Sequence, residues 1–290
     1  SRIIVAGEKA IIIAEDDAAI KSASIELRIE KQAVLPAVKR APGPERTLLL
    51  GWNRRGPIIA TELSRYVAPG SLLTIAADTP ELEADMAALN DISGNLTIDY
   101  RIIDTGSRAA LDALDIPQYD HVLVLGYSDH LAPQTADTRT LVTLLTIRRI
   151  AEKAGRHISV VSEMTDVRNR ELAEVTRADD FVVSNKLVSL MLAQASENET
   201  MAAIFDELLD EEGSEIYMRP ISDYVAIDAP RDFYTVSYSA LRRGEIALGY
   251  RRQRPEDADT RNLGGVVVNP PKGEKVSFLE TDRVIVLARD

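Results

Sequence analysis

Leu48-Leu49-Leu50-Gly51-Trp52-Asn53-Arg54-Arg55-Gly56-Pro57 is the stretch that decides the fold. A short apolar run ends at a glycine, and a helical pattern opens at Pro57 with Ile58, Ile59, Leu63 and Tyr66 on its apolar side. A strand that turns on glycine straight into a helix is the opening of a βαβ crossover. The pattern repeats downstream. Leu72 to Ala77 reads as a second strand, and Pro80 opens a helix carrying Leu82, Met86 and Leu89. Leu96–Ile103, His121–Leu125, His157–Val161 and Phe181–Val183 read as four more strands, with a long helix over Gln134–Lys153. Apolar strands separated by helices predict an α/β fold, a Rossmann-type parallel sheet with helices on both faces.

Past Asn185 the rhythm changes. Two consecutive helices are expected over 186–212, broken near Ser196-Glu197-Asn198. Leu187, Leu190, Met191 and Ala195 mark one side of the first, and Met201, Ile204, Phe205, Leu208 and Leu209 one side of the second. Short strand-like pieces follow at 216–218, 246–248, 266–268 and 284–287, separated by turn signals such as Gly264-Gly265 and Asn269-Pro270-Pro271. The expected order is therefore a Rossmann-type lobe over 47–185, crossover helices over 186–213 and a small, β-rich α+β subdomain over 214–290. Val5–Asp16 also lines up without a gap with Leu279–Asp290: an acid, a base, five apolar residues and a closing Asp. On that repeat, 1–16 is the last strand of a preceding module and 17–46 a linker ending in Ala41-Pro42-Gly43-Pro44. Ser1-Arg2-Ile3-Ile4-Val5 drops directly into a strand-like run, which reads as a cut from a longer chain.

Composition narrows the chemistry. The 290 residues are 45% hydrophobic and 28% charged, the balance of a globular protein. A formal charge of -12 argues against a nucleic-acid binder, which needs a basic face. With no cysteine, thiol nucleophiles and thiolate metal sites are excluded. No apolar run approaches the roughly 18 residues of a membrane-spanning helix.

Gly51-Trp52-Asn53-Arg54-Arg55-Gly56 stands where the dinucleotide fingerprint G-x-G-x-x-G belongs. Asn53 replaces the middle glycine and narrows the space for phosphate, and Pro57 removes one amide at the helix start. Asp78, after the second strand, has the place and type of a ribose-binding acid. Arg54 and Arg55 can clamp phosphates or simply face solvent. Asp104 and Gly126 lie at the carboxyl ends of the third and fourth strands, where open α/β sheets bind ligands. NAD or an adenine nucleotide is the expected ligand, with a ligand-free turn the equal alternative. The carboxylates Asp206, Glu207, Asp210, Glu211 and Glu212 have helical spacing. Glu207, Asp210 and Glu211 are candidate Ca2+ ligands against the plainer reading of a solvated acidic face. His121, His130 and His157 show no metal-ligand spacing.

Several patches together resemble the CASTOR/POLLUX ion-channel family and, more broadly, regulator-of-potassium-conductance domains. They are Leu49-Leu50-Gly51-Trp52-Asn53, Ala136-Asp137-Thr138-Arg139-Thr140-Leu141, Val183-Ser184-Asn185-Lys186-Leu187-Val188-Ser189 and the stretch from Phe205 to Gly213. The resemblance implies tandem modules behind a membrane pore, dimers assembled into a tetrameric ring through 186–213, and a place on the cytoplasmic face of the channel. It also implies a nucleotide or cation as the gating signal. Two other readings stay open: an NAD(P)-dependent oxidoreductase, for which no catalytic pair is recognisable, and a structural ring module without a ligand.

Overall fold

The computed structural model describes residues 29–37, 43–89, 94–156, 158–169, 180–197, 200–209, 213–252, 254 and 265–289. They fall into two compact units, 40–206 and a second unit formed by 1–39 together with 207–290. The division falls at Asp206/Glu207, inside the second crossover helix rather than at 213.

In the first unit, β1 (Arg46–Leu50), β2 (Ser71–Ala77), β3 (Leu96–Ile102), β4 (His121–Val124), β5 (Ser159–Met164) and β6 (Asp180–Val183) form one sheet in the order β3-β2-β1-β4-β5-β6. Every neighbouring pair is parallel. Helices α1 (Gly56–Tyr66), α2 (Leu82–Leu89), α3 (Arg108–Asp112) and α4 (Pro133–Ala154) make the connections. Alternate residues of β1 serve opposite cores: Leu48 and Leu50 join Leu144, Ile147 and Val160, while Leu49 joins Trp52, Ala60 and Leu73. That two-sided burial is why Leu48–Leu50 run apolar in succession rather than alternating. Strand order reverses between β1 and β4, so the crevice at their carboxyl ends is the topological switch point of the sheet.

Helices α5 (Ser184–Glu197) and α6 (Met201–Leu209) bury no residue of their own. Leu187, Val188, Leu190, Leu192 and Leu209 are each about half exposed or more. A helix gains most of its stability by covering an apolar face, so faces left bare within the chain are suited to a partner.

The second unit carries a four-stranded sheet in the order β10-β9-β12-β7, built from β7 (Glu215–Pro220), β9 (Ile246–Arg251), β10 (Val266–Val268) and β12 (Arg283–Ala288). Its strands pair antiparallel. A two-stranded ribbon joins β8 (Arg231–Asp232) to β11 (Lys275–Val276). The core packs Tyr224, Phe233, Val236, Tyr250, Phe278, Val284 and Val286. Helix α7 (Phe233–Leu241) is a helix of the expected α+β subdomain. Its sequence is rich in aromatic and β-branched residues, which favour strands. Asp232 nevertheless caps it by accepting from the Thr235 amide at 2.8 Å, and Phe233, Val236 and Ala240 bury one side.

Two further expectations change. Residues 30–36, expected to be linker, pack on the second unit, where Val34 bridges Val225. The fifth strand runs on to Met164 instead of stopping at Val161. Residues 1–16, the first half of the internal repeat, lie outside the described residues; the second half is β12, paired on both sides in its sheet. Among the described residues, no helix is long and apolar enough to cross a membrane.

The cap sets a testable expectation. Asp232→Ala lowers stability by about 1 kcal/mol, read as a lower urea midpoint of the second unit's transition with an unchanged slope.

Candidate functional site at the carboxyl edge of the sheet

The turn after β1 is shaped by contacts that leave little freedom. Gly51 has φ +83°, and a side chain there would collide with the Leu125 carbonyl oxygen. Trp52 is buried and lies against Gly56, where any Cβ would overlap the indole ring. The indole N–H donates to Asp85 on α2 at 2.7 Å. The first and last glycines of the fingerprint thus keep their roles in the turn and in close helix packing.

The middle position does not. Asn53 is 2% exposed, and its Nδ2 donates both to the Gly126 carbonyl at 2.7 Å and to Glu163 Oε2 at 2.9 Å. Its Oδ1 accepts from the Arg55 amide at 2.9 Å. Arg55 reaches the other oxygen of Glu163 at 2.7 Å. The Arg54 amide donates to Asp129 at 2.6 Å, and the Gly56 amide donates to the Asn53 carbonyl at 2.8 Å. The three amides that open α1 all have acceptors inside the protein, and Pro57 contributes none. A buried carboxylate, Glu163, stands beside the turn where a pyrophosphate would need positive partners.

Tyr127 fills the other side of the crevice. Its ring lies 3.5 Å from where a Cβ on Gly51 would stand, and its hydroxyl lies 2.9 Å from the Thr105 hydroxyl. The Asp78 amide is 3.5 Å from the same hydroxyl. Arg139 stacks over the ring at 4.0 Å and donates to Asp104 at 2.8 Å. Burial raises the Tyr127 pKa above its ordinary value of 10.0, so the phenol stays protonated and able to donate.

The expected residues are therefore brought together, but not as a dinucleotide seat. Gly51, Asn53, Gly56 and Gly126 meet at the switch point, Asp78 sits exposed at the end of β2, and Asp104 pairs with Arg139. The Arg54 side chain is 78% exposed beside Asp129, and the nearer arginine, Arg55, is paired with Glu163. A nucleotide does not fit this crevice as it stands, because Asn53, Glu163 and Tyr127 fill it. Sequence reasoning missed Glu163 by ending β5 at Val161, three residues before its end at Met164. A charged residue inside an apolar central strand was the available signal. Tyr127, directly after Gly126, carried no signal of its own.

A second polar cluster fixes the loop after β5. Asp137 on α4 is 1% exposed and accepts from the Thr165 amide and hydroxyl, the Asp166 amide and Asn169 Nδ2, at 2.7 to 3.0 Å. Beside it the Arg168 guanidinium holds the Asp166 carboxyl at a pKa of about 2. On the acidic run, Glu207 pairs with Arg289 at 2.7 Å, while Asp210, Glu211 and Glu212 lie outside the described residues. Among the described residues, no three His or acidic side chains are grouped to hold a metal ion. His130 pairs with Glu81 and His121 with Glu45, while His157 lies outside the described residues.

The first unit's parallel, doubly covered sheet is the architecture of gating-ring lobes. The chain superposes on the human SLO3 gating ring with a TM-score of 0.56 and 10% identity, over 85% of this chain and 44% of that one. At that identity the likeness concerns the fold. No family model matches the sequence. Curated ion channels do: the probable ion channel CASTOR of Oryza sativa subsp. japonica is 30% identical over 93% of this chain, and the probable ion channel POLLUX of Arabidopsis thaliana is 30% identical over 97%. Ion channel CASTOR of Lotus japonicus is 29% identical over 93%. The chain is thus a homologue of the CASTOR/POLLUX ion channels, and it spans about a third of the length of the relatives it matches.

Two measurements check the filled crevice. Glu163→Ala removes one of the two acceptors of the Asn53 amide and the partner of the partly exposed Arg55 and destabilises by about 2 kcal/mol, whereas Arg54→Ala, at an exposed ion pair, costs less than about 1 kcal/mol. Calorimetric titration with NAD, NADH, ATP or ADP gives no saturable heat. Saturable binding weakened by Asp78→Ala would instead mean that Asn53 and Tyr127 move aside for a ligand.

Proposed function

We propose that this chain is an oligomer-forming module of a cytosolic gating ring in a CASTOR/POLLUX-type cation channel, where subunit contacts rather than a dinucleotide carry the signal to the pore. The observation that supports it is the exposed apolar surface of α5, continued by Leu209 of α6, on a chain homologous to channels. Leu192 and Leu209 are 66% and 65% exposed, and no residue of either helix is buried. In water such faces tend to be covered, and a second copy brings a matching face. Dimers formed through 186–213 and assembled into a tetrameric ring are the arrangement proposed, with the pore lying in parts of the protein outside this chain. A cation remains a candidate signal through Glu207, Asp210 and Glu211; the nucleotide reading loses its support at Asn53 and Glu163.

Coupling requires the assembly to have two arrangements that a signal favours unequally. Repacking of helices across an interface supplies them more readily than a crevice in which Asn53 and Arg55 are tied to Glu163 within one subunit.

Light scattering is expected to give the wild-type chain a solution mass of a dimer or a multiple of it. Leu190→Glu with Leu192→Glu shifts that mass to the monomer without loss of helical circular dichroism. A wild-type monomer at tens of micromolar, or a double variant that still associates, would remove the interface from α5.

A further inference from the structure

The chain segment that leads toward β1 is attached to the second unit, and it is attached by three kinds of contact. The first is backbone pairing. The Leu35 amide donates to the Tyr224 carbonyl at 3.0 Å, and the Ala226 amide donates to the Ala33 carbonyl at 2.8 Å, on either side of the Val34–Val225 bridge. Ala33 is 2% exposed and Val225 fully buried, so the pairing closes over the core.

The second is a charge cluster around the nearly buried Arg231. Glu30 lies between Arg231 at 2.7 Å and Lys275 at 2.8 Å, and its amide donates to the Thr235 hydroxyl at 3.1 Å. The Arg231 side chain is only 9% exposed and also pairs with Asp228. Its Nε donates to the Ala226 carbonyl at 2.8 Å. Buried guanidinium groups need such partners, so Arg231 and the segment hold each other in place. The third is a clamp by Arg243. It donates to the carbonyls of Leu35 at 3.2 Å and Pro36 at 3.3 Å, and also to the carbonyl of Asp223. Its guanidinium stacks 4.0 Å over the Tyr224 ring, and Tyr224 donates in turn to the buried Glu245 at 2.5 Å.

All of these partners belong to the second unit, whereas in chain order the segment precedes the first. We propose that residues 29–36 are a strap that fastens the incoming chain to the second unit, so that a pull on the chain ahead of Ile29 loads Val225 and α7 before it reaches β1. For a gating module this sets the order in which a displacement of preceding chain is received. That consequence rests on the channel reading, while the strap itself does not.

The cysteine-free sequence makes the strap easy to lock. Val34 and Val225 form the non-hydrogen-bonded kind of antiparallel pair, with Cα atoms about 4.5 Å apart, inside the range a disulfide spans. Val34→Cys with Val225→Cys is expected to oxidise to an intramolecular disulfide in the otherwise intact chain. In the unmodified sequence the amides of Leu35 and Ala226 are protected from hydrogen exchange. Glu30→Ala accelerates both by about tenfold or more and leaves the Leu125 amide, in the first unit, unchanged. In single-molecule pulling between Ser1 and Asp290, oxidation of the double variant removes the first rupture event. Failure to oxidise, Leu35 and Ala226 amides indifferent to Glu30→Ala, or a first rupture that survives oxidation each overturns the strap. None of these readouts involves a pore or a second copy, so the strap can fail while the channel reading stands, and the reverse.

Discussion

The first unit depends on one buried carboxylate. Glu163 is taken out of water at the end of β5, and a carboxylate there is tolerated only when hydrogen-bonded and paired. Asn53 and Arg55, 110 and 108 residues earlier in the chain, supply those partners. To deliver both, the turn after β1 must take one path, and Gly51 in the left-handed region together with Trp52 packed on Gly56 sets that path. The features that resemble a nucleotide fingerprint are explained by this internal requirement. Glycines at the first and last positions are needed for the turn whether or not a phosphate ever approaches, and asparagine at the middle position is needed for Glu163.

Helix α4 extends the same logic across the sheet edge. From one helix, Asp137 holds the loop after β5, Arg139 holds Tyr127 and Asp104, and Thr143 donates to the Thr105 carbonyl at 3.1 Å. Loops after β3, β4 and β5 are thereby fixed to a single rigid element. The second unit repeats the device with different residues. Buried Glu245 accepts from Tyr224 and from Arg219 at 2.7 Å, and the Glu245 carboxylate together with burial raises the Tyr224 pKa. In both units a carboxylate that would be costly alone becomes the point on which neighbouring elements agree.

Legibility followed the range of the interactions. The parallel sheet could be read because its inner strands carry short, largely buried apolar runs (Leu48–Leu50, Ile75–Ala77 and Val122–Val124), a pattern local to each strand. Gly51 and the departure at Asn53 were visible for the same reason. The meaning of Asn53 was not, since its partner lies on a strand whose end was placed at Val161, before the residue that matters. Helix α7 was hidden because Phe233-Tyr234-Thr235-Val236 has strand propensity, and burial against β9 together with the Asp232 cap outweighs it. The strap was hidden because Gln32-Ala33-Val34-Leu35-Pro36 has the composition of a connection. Its anchors, Arg231, Arg243 and Lys275, come some 200 or more residues later.

Where polar groups are satisfied and where apolar surface is not then bears on how such a module can work. A ligand shifts an equilibrium only by interacting differently with two arrangements. The switch-point crevice is poorly placed to offer two: opening it would strand Glu163 without Asn53 and Arg55, and would expose Tyr127 and Trp52. Leu187, Val188, Leu190 and Leu192 of α5 carry no such penalty, because among the described residues they are already exposed, and the strap gives the incoming chain a grip on the other unit. The exposed face of α5, unlike the crevice and the strap, can be covered or uncovered without stranding a buried charge.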